Sequence, residues 1–250
     1  MQKYASSAEN SAQVTVSIVS HGHGALVSSL LADLATHCGP GIAVILTLNI
    51  PEYLTVGDGA YPFPLKLIRN EAPKGFGANH NAAFAGGNSP FFCVANPDVR
   101  LKSDPFPALM KAFNGDRIAV AGPLVRAPDG RVEDSARRFP TPYSLLRKLF
   151  LPSQGPDYPT DGGLTEVDWV AGMFMLFDSR AFRDVGGFDE GYFLYYEDAD
   201  ICRRLGALRR SVVYVPEAEI IHEARRASRR NAGLARHHIA SALRFLTRRG

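Results

Sequence analysis

Residues 14–48 read VTVSIVSHGHGALVSSLLADLATHCGPGIAVILTL. The first seven, VTVSIVS, are β-branched and apolar enough for a strand buried on both faces. Residues 25–36 then change period, and Leu26, Leu30, Leu31 and Leu34 recur at helical spacing. Gly39-Pro40-Gly41 stops that helix, and Ile42–Leu48 opens a second apolar strand. Strand, helix, strand over so short a span predicts two parallel strands joined by a helical crossover.

The alternation continues downstream. Residues 65–69 predict a weaker third strand, 77–86 a helix ending near Gly86-Gly87, and 91–95 (FFCVA) a fourth strand. A helix over 104–113 follows, with Asp104 as N-cap and Pro105 in its first turn, then a fifth strand at 118–122. The fold class is therefore α/β, a mostly parallel central sheet flanked by helices. From 126 to 166 the rhythm is lost among Pro, Gly, Asp and Arg, with a short helix near 143–150 and an unstructured run, PSQGPDYPTDGG. Such a long loop in a compact domain is functional or disordered. Order resumes with the apolar stretch Trp169–Phe177, followed by helices near 179–185 and from Glu197, and a strand over 212–215. Residues 233–248 predict an amphipathic, basic C-terminal helix with Leu234, Ile239, Ala242, Leu243 and Leu246 toward the protein. Residues 1–13 read as a flexible polar tail. No linker divides 14–250, so one domain is expected.

Composition narrows the function. Of 250 residues, 46% are hydrophobic and 21% charged, which excludes a disordered chain. A net charge of +3 does not argue for nucleic acid, and no helix-turn-helix or aromatic-basic interleaving supports it. Cys38, Cys93 and Cys202 form no CxxC, against a zinc ribbon or disulfide scaffold and for a reducing compartment. No 18-residue apolar run predicts a membrane span, and MQKYASSAENSAQ lacks the apolar core of a signal peptide. A cytoplasmic location is expected.

Chemistry concentrates in GGFDEGYFLYYEDADICRRL, which starts at Gly186. Phe188, Tyr192, Phe193, Leu194, Tyr195 and Tyr196 make an aromatic wall ahead of Glu197, Asp198 and Asp200. Carboxylates at a helix start are favoured by its dipole, and one beside aromatic faces suits a general base acting on a sugar hydroxyl. The plainer alternative is capping plus ion pairs from Glu197 and Asp200 to Arg204. Asn96-Pro97-Asp98 follows strand FFCVA, at the sheet end where open α/β sheets bind ligands. Asp98 suits Mg2+ or Mn2+, although Asn-Pro-Asp is also a good turn former. KGFGANHN at 74–81 lacks both the P-loop and the dinucleotide patterns. It can bring backbone near a nucleotide at a helix start, or simply begin a helix with Asn79, His80 and Asn81 in solvent. His222 lies beyond strand VVYVP and matters only if it converges on Asp98. Twelve arginines between Arg203 and Arg249 make a solvated face, or one that attracts diphosphates or an anionic membrane. No GxSxG occurs, so a serine hydrolase is unsupported.

Taken in order, VSIVSHG at 16–22, NEAPKGFGANHNAA at 70–83, VANPDV at 94–99, the block from Asp168 to Leu205 and PEAEIIHEARRAS at 216–228 resemble the family 2 glycosyltransferases. The nearest group is the bacterial rhamnosyltransferase-like enzymes, which have the GT-A fold of nucleotide-diphospho-sugar transferases. The resemblance covers roughly 14–246 and is most specific in the fourth block. It implies that Asp98 ends the metal-binding Asp-x-Asp motif with Asn96 in place of its first acid, and that His222 completes the metal site for Mg2+ or Mn2+. It implies Asp198 as base with Glu197 beside it, and Gly172 and Trp169 in the loop lining the donor and acceptor pocket. Ser20, His21 and Gly22 match the nucleotide-contacting end of strand one. Gly75 and Phe76 fall in the block near the donor, with Asn81 matching an Asn there. Relatives often carry Asp-Asn after strand two, where this chain has Leu48-Asn49. Base recognition would then fall to Asn49 or Glu52, or the base differs, or the enzyme is weakened.

The expected activity is inverting transfer of a sugar from a nucleotide-diphosphate sugar to an acceptor hydroxyl. By the resemblance the acceptor is a surface polysaccharide or lipid-linked saccharide, and the Arg-rich C-terminal end would let the chain meet it by peripheral contact at the inner face of the cytoplasmic membrane. The rival reading is a non-catalytic nucleotide- or saccharide-binding protein on the same fold, favoured by Leu48 and Asn96. Intact Glu197, Asp198, Asp98 and His222 favour the enzyme.

Overall fold

Val14–Ser20 (β1) and Ile42–Leu48 (β2) pair in parallel across the helix Gly24–His37 (α1), as the change of period requires. The structure, a computed structural model, describes residues 12–53, 60–144, 155–223 and 232–248, with side chains from residue 235 onward in the last stretch. The expected tail lies outside them except for Ala12 and Gln13. Gln13 is tied into the sheet, donating to Gly41 O and accepting from Phe91 N.

The remaining strands are Leu65–Arg69 (β3), Phe91–Ala95 (β4), Val99–Arg100 (β5), Ile118–Arg126 (β6), Ala136–Arg137 (β7), Thr165–Val167 (β8), Trp169–Val170 (β9), Phe174–Asp178 (β10) and Ser211–His222 (β11). The helices are Phe76–Ala85 (α2), Phe106–Lys111 (α3), Ser179–Asp184 (α4), Glu197–Ala207 (α5) and Ala232–Thr247 (α6). One nine-stranded sheet runs β3-β2-β1-β4-β10-β6-β11-β5, with β8 also beside β11. The β3-β2-β1-β4 half is parallel, as is β6 with β11. β10 runs antiparallel between β4 and β6, and β5 and β8 run antiparallel to β11. A buried strand carries the same apolar content in either direction, so sequence does not reveal the reversal of β10. β7 and β9 form a separate two-stranded ribbon.

Two strands outrun their expected ends. β6 continues through Pro123, and β11 continues through Pro216 with a register shift between Val215 and Glu219. The irregularity absorbs the missing N–H and keeps β11 paired as far as His222. The helix expected near 143–150 falls mostly on residues outside those described. The supposedly loose run is anchored from 155 onward: the Tyr158 hydroxyl donates to Asp168 Oδ1 and accepts from Asp168 N, each at 3.1 Å.

The pleat sorts β1 onto two layers. Val14, Val16 and Ile18 join Leu30, Leu31 and Leu34 of α1 on one face. Thr15 and Ser17 face α2, where Ser17 Oγ lies 2.7 Å from His80 Nδ1. His80 is buried, not in solvent, and burial pushes its pKa down to about 3, so the ring is neutral. The second layer clusters Phe92, Phe177, Phe182 and Phe188 with Phe84 of α2 on the other face of the sheet.

The glycines of KGFG serve contact between segments. A Cβ on Gly77 would lie 2.6 Å from Phe188 Cβ, and one on Gly75 would lie 2.9 Å from Phe193 O. These close approaches bring the start of α2 against the aromatic wall, where Phe76 N donates to Phe193 O at 2.9 Å. Gly77→Ala should lower stability by about 1–3 kcal/mol through overpacking, partly offset by helix propensity of about 1 kcal/mol. Urea unfolding measures this, and an unchanged or raised midpoint would refute the packing role.

α6 lies against the wall from outside. Ser241 donates to Leu194 O at 2.8 Å, Phe245 is buried, and His238 packs on Tyr195 and Tyr196. The expected orientation is thereby reversed. Ile239, Leu243 and Leu246 point to solvent, because the aromatic wall is capped by Ser241, His238 and Phe245 instead. Ala242 is half-buried and the Leu234 side chain lies outside the described residues.

Candidate active site

The carboxylates stand on a strained turn. Tyr195 and Tyr196 have φ of 71° and 68°, a left-handed conformation that bulky residues rarely adopt. The helix α5 starts directly after them, so the strain aims Glu197 and Asp198 into its first turn. Asp198 Oδ2 accepts from Gly172 N and its Oδ1 from Ala199 N, both at 2.9 Å. Gly172 sits in the turn between β9 and β10. The next residue, Met173, accepts from Asn96 N at 2.9 Å. That turn therefore connects the Asn-Pro-Asp segment to the carboxylates. Phe76 closes the far side, within 3.4 Å of where a Gly172 Cβ would lie.

The two neighbouring acids differ. Burial pushes the Glu197 carboxyl up to about 8, and the charge of Asp198 adds to the shift. Its Oε2 is buried with no partner among the described residues. Burial raises Asp198 as well, but the N–H groups of Gly172 and Ala199 and the charge of Arg137 favour its anion. Asp198 is thus the first to ionise, while Glu197 keeps its proton.

Asp98 and His222 come together because β5 pairs antiparallel with the end of β11, placing Val99 opposite His222. His222 Nε2 lies 3.4 Å from Asp98 Oδ2. On its other side, His222 Nδ1 lies 2.8 Å from Glu133 Oε2. Burial works against the imidazolium, but hydrogen bonds and charge from Asp98 and Glu133 outweigh it and hold the pKa above the ordinary value. Asp98 Oδ1 is buried and unpartnered among the described residues. Glu133 comes from the Pro- and Arg-rich loop, where no motif marked it. Among the described residues no group of three or more such side chains is arranged to hold an ion. The chemistry of Asp98 and His222, with one carboxylate oxygen left without a partner among the described residues, is compatible with two ligands to a hard cation that would take its others from phosphates and water.

At the ends of β1 and β2 the predicted residues hold one another. Ser20 Oγ is buried and accepts from His23 N at 3.1 Å. Asn49 is buried, accepting from Lys74 N and donating to Lys74 O, with Asn70 on its Oδ1 and His21 on its Nδ2. It ties the first sheet edge to the KGFG segment, and Leu48 belongs to the core. Gly22, with φ +77°, donates to Glu52 Oε1 at 3.3 Å, which brings that acid to the end of β1. Asn81 grips the Gly187–Phe188 turn, accepting from Phe188 N and donating to Phe188 O, both at 2.9 Å. Trp169 is buried with its Nε1 on Arg138 O and Arg137 over its ring, rather than lining an open pocket. A groove of about 540 Å3 opens between the start of α2 and the aromatic segment, lined by Lys74, Gly75, Asn81, Glu190 and Phe193. Neither Asp98 nor Asp198 lines it.

Solved structures share this architecture. GalNAc-T7 with UDP, GalNAc and Mn2+ superposes with a TM-score of 0.69 over 95% of this chain and 48% of that one, at 13% identity. The mannosyltransferase PcManGT from Pyrobaculum calidifontis, in complex with GDP-Man and Mn2+, gives 0.63 over 94% and 65%, at 14% identity. The chain thus spans about half to two thirds of those proteins. No protein-family model matches the sequence. The fold is that of the GT-A glycosyltransferases. Sequence relatives carry the assignment further. The N-acetylglucosaminyl-diphospho-decaprenol L-rhamnosyltransferase of Mycobacterium tuberculosis is 32% identical over 88% of this chain and 80% of its own length. Rhamnosyltransferase WbbL of Escherichia coli (strain K12) is 31% identical over 94% and 93%. The chain belongs to the rhamnosyltransferase-like family 2 glycosyltransferases and is a sugar-transferring enzyme. These relatives give the binding-only alternative no support.

Proposed function

We propose that this enzyme transfers a rhamnose-type sugar from a nucleoside-diphosphate donor to a hydroxyl of a lipid-linked saccharide, with inversion at the anomeric carbon. The relatives' names support the sugar, and the decaprenol-linked acceptor of the mycobacterial relative supports the lipid. The observation that carries the chemistry is Asp198, whose carboxyl oxygens accept from two N–H groups on a strained turn. Its carboxylate accepts the proton as the acceptor oxygen bonds the anomeric carbon. The bond to the donor diphosphate breaks in the same displacement, and the nucleoside diphosphate leaves with the electron pair.

Asp98 and His222 are the residues that would hold Mg2+ or Mn2+, and such a cation supplies charge neutralisation for the diphosphate. Glu133 fixes the His222 ring through Nδ1, which leaves Nε2 aimed at Asp98. Glu133→Ala should weaken Mn2+ binding in the presence of nucleoside diphosphate by about 10–100-fold. Electron paramagnetic resonance of free Mn2+ reads this directly, and unchanged affinity would remove Glu133 from the site. Asn49, Ser20, His21, Gly22 and Glu52 shape the nucleotide end, with Gly75, Phe76, Asn81, Asn96 and Gly172 framing the donor.

Among the described residues no helix is long and apolar enough to cross a membrane. In this reading the enzyme meets its lipid-linked acceptor by peripheral contact at the inner face of the cytoplasmic membrane. The decisive experiment is a thermal-shift series with UDP, dTDP, GDP and CDP, each with and without Mn2+, followed by transfer from the stabilising donor class. Stabilisation by one nucleotide that needs Mn2+ and is lost in Asp98→Ala is the expected result. No shift with any nucleotide would overturn the donor assignment.

A further inference from the structure

α6 is amphipathic in the wrong direction for a helix that only packs. Its inner face is Ser241, Phe245 and His238, while Ile239, Leu243 and Leu246 are 62%, 59% and 37% exposed. Spaced at i, i+4 and i+7, these three form one outward stripe. Scattered surface apolars need no explanation, but an aligned stripe on a helix does. Arg236 is exposed beside the stripe, one turn before Ala240. The sequence from Ala224 to Gly250 contains eight arginines and no Asp or Glu. Of these, Arg244 and Arg248 are engaged by Asp189 and hold the helix down.

We propose that the outer face of α6 is a docking surface for an anionic lipid bilayer, lying in the interface with Ile239, Leu243 and Leu246 among the acyl chains. The proposal deepens the reading of a lipid-linked acceptor and rests on it for its purpose, but its evidence is the stripe and the charge. An apolar stripe flanked by Arg236, on a segment from 224 to 250 that carries arginines and no acid of its own, complements a negatively charged interface. The helix is also joined to the site. Its inner face holds Leu194, Tyr195 and Tyr196, the residues immediately before Glu197 and Asp198. His237 stacks on Phe193, which lines the groove, with ring centroids 4.7 Å apart. A bilayer against α6 therefore lies beside the Phe193 groove and against the segment that leads directly into Glu197 and Asp198.

The test is vesicle flotation of the full chain with phosphatidylcholine alone and with phosphatidylcholine containing a third phosphatidylglycerol. Wild type should float with the anionic vesicles and not with the neutral ones. Ile239→Ser with Leu243→Ser should weaken that binding at least tenfold. Its melting temperature and its nucleotide-induced shift should stay unchanged, since both side chains are exposed. Arg236→Glu should weaken binding to the anionic vesicles alone. Equal flotation of the double variant and wild type would overturn the proposal, as would equal flotation with both vesicles. Sedimentation equilibrium without lipid supplies a further check. A wild-type dimer that becomes monomeric in the double variant would give the stripe to a second copy of the chain and overturn the bilayer. Transfer to a short-chain, water-soluble acceptor separates this result from the enzymatic reading. The double variant should retain it, and its absence in wild type, with flotation still dependent on the stripe, would sink the acceptor assignment while docking stands.

Discussion

Asp198→Asn is expected to reduce sugar transfer by about 10²–10⁴, the range typical of losing a general base. The amide keeps the size of the carboxylate and can still accept one of the two N–H bonds from Gly172 and Ala199. It cannot take the acceptor's proton. Nucleotide binding should persist, because the contacts of Asp198 are with the 172 turn and the start of α5 rather than with the ends of β1 and β2. Transfer assays beside thermal shifts with nucleotide and Mn2+ separate the two, and near-full transfer by the variant would falsify the assignment. Glu197→Gln should act differently. Burial pushes that carboxyl up to about 8, so near neutral pH it is already protonated and a glutamine resembles it. In the unfolded chain the same carboxyl ionises near 4.5. Between about 4.5 and about 8 the unfolded state therefore binds fewer protons, and this group's contribution to stability falls as pH rises. Glu197→Gln should flatten that part of the pH–stability curve, and a variant whose unfolding keeps the wild-type pH dependence would contradict a protonated Glu197. Activity should rise with pH as Asp198 ionises, with its midpoint above the ordinary carboxylate value because burial raises it.

What the sequence made legible follows from local physics. The parallel half of the sheet is readable because βαβ crossovers leave two periods in the chain, 2.0 and 3.6, and β1 to β4 carry both. The start of α5 is readable because acids favour a helix N-terminus. Long-range pairings were not readable. Nothing local says that β10 runs backwards between β4 and β6, yet that reversal puts Gly172 on Asp198. The meeting of Asp98 with His222 depends on two residues of β5, too short to leave a pattern. Glu133 lay in a loop whose composition announced only turns. The KGFG glycines looked like backbone freed for a ligand, whereas Gly75 and Gly77 are small because Phe193 and Phe188 press on them. α6 went wrong for a related reason: helical spacing identifies an apolar stripe but does not say which side the protein is on.

Asp200→Ala should cost about 3–5 kcal/mol of stability, the expected loss when one partner of a buried ion pair is removed. Asp200 is fully buried, with Oδ2 accepting from Arg204 Nε at 2.7 Å and Oδ1 from Arg203 and the Tyr192 hydroxyl, each at 3.3 Å. Arg204 in turn donates to Val185 O and Gly187 O, both at 2.8 Å, while Asn81 holds the next residue, Phe188. Without the carboxylate, a largely buried guanidinium loses its counter-charge and the turn leading to the aromatic wall loses its anchor. The acid two residues earlier has a different fate because i and i+2 point to different sides of a helix. Asp200 turns inward to the arginines, and Asp198 toward Gly172. Urea unfolding at pH 7 should therefore separate them, with Asp200→Ala strongly destabilised and Asp198→Asn close to wild type. Asp200→Asn is the informative middle case. It keeps the shape and one acceptor for Arg204, so it should lose less stability than alanine and retain transfer well below its melting temperature. If Asp200→Asn instead folds as well as wild type but transfers as poorly as Asp198→Asn, the division of labour in Glu-Asp-Ala-Asp is wrong, and Asp200 belongs to the chemistry.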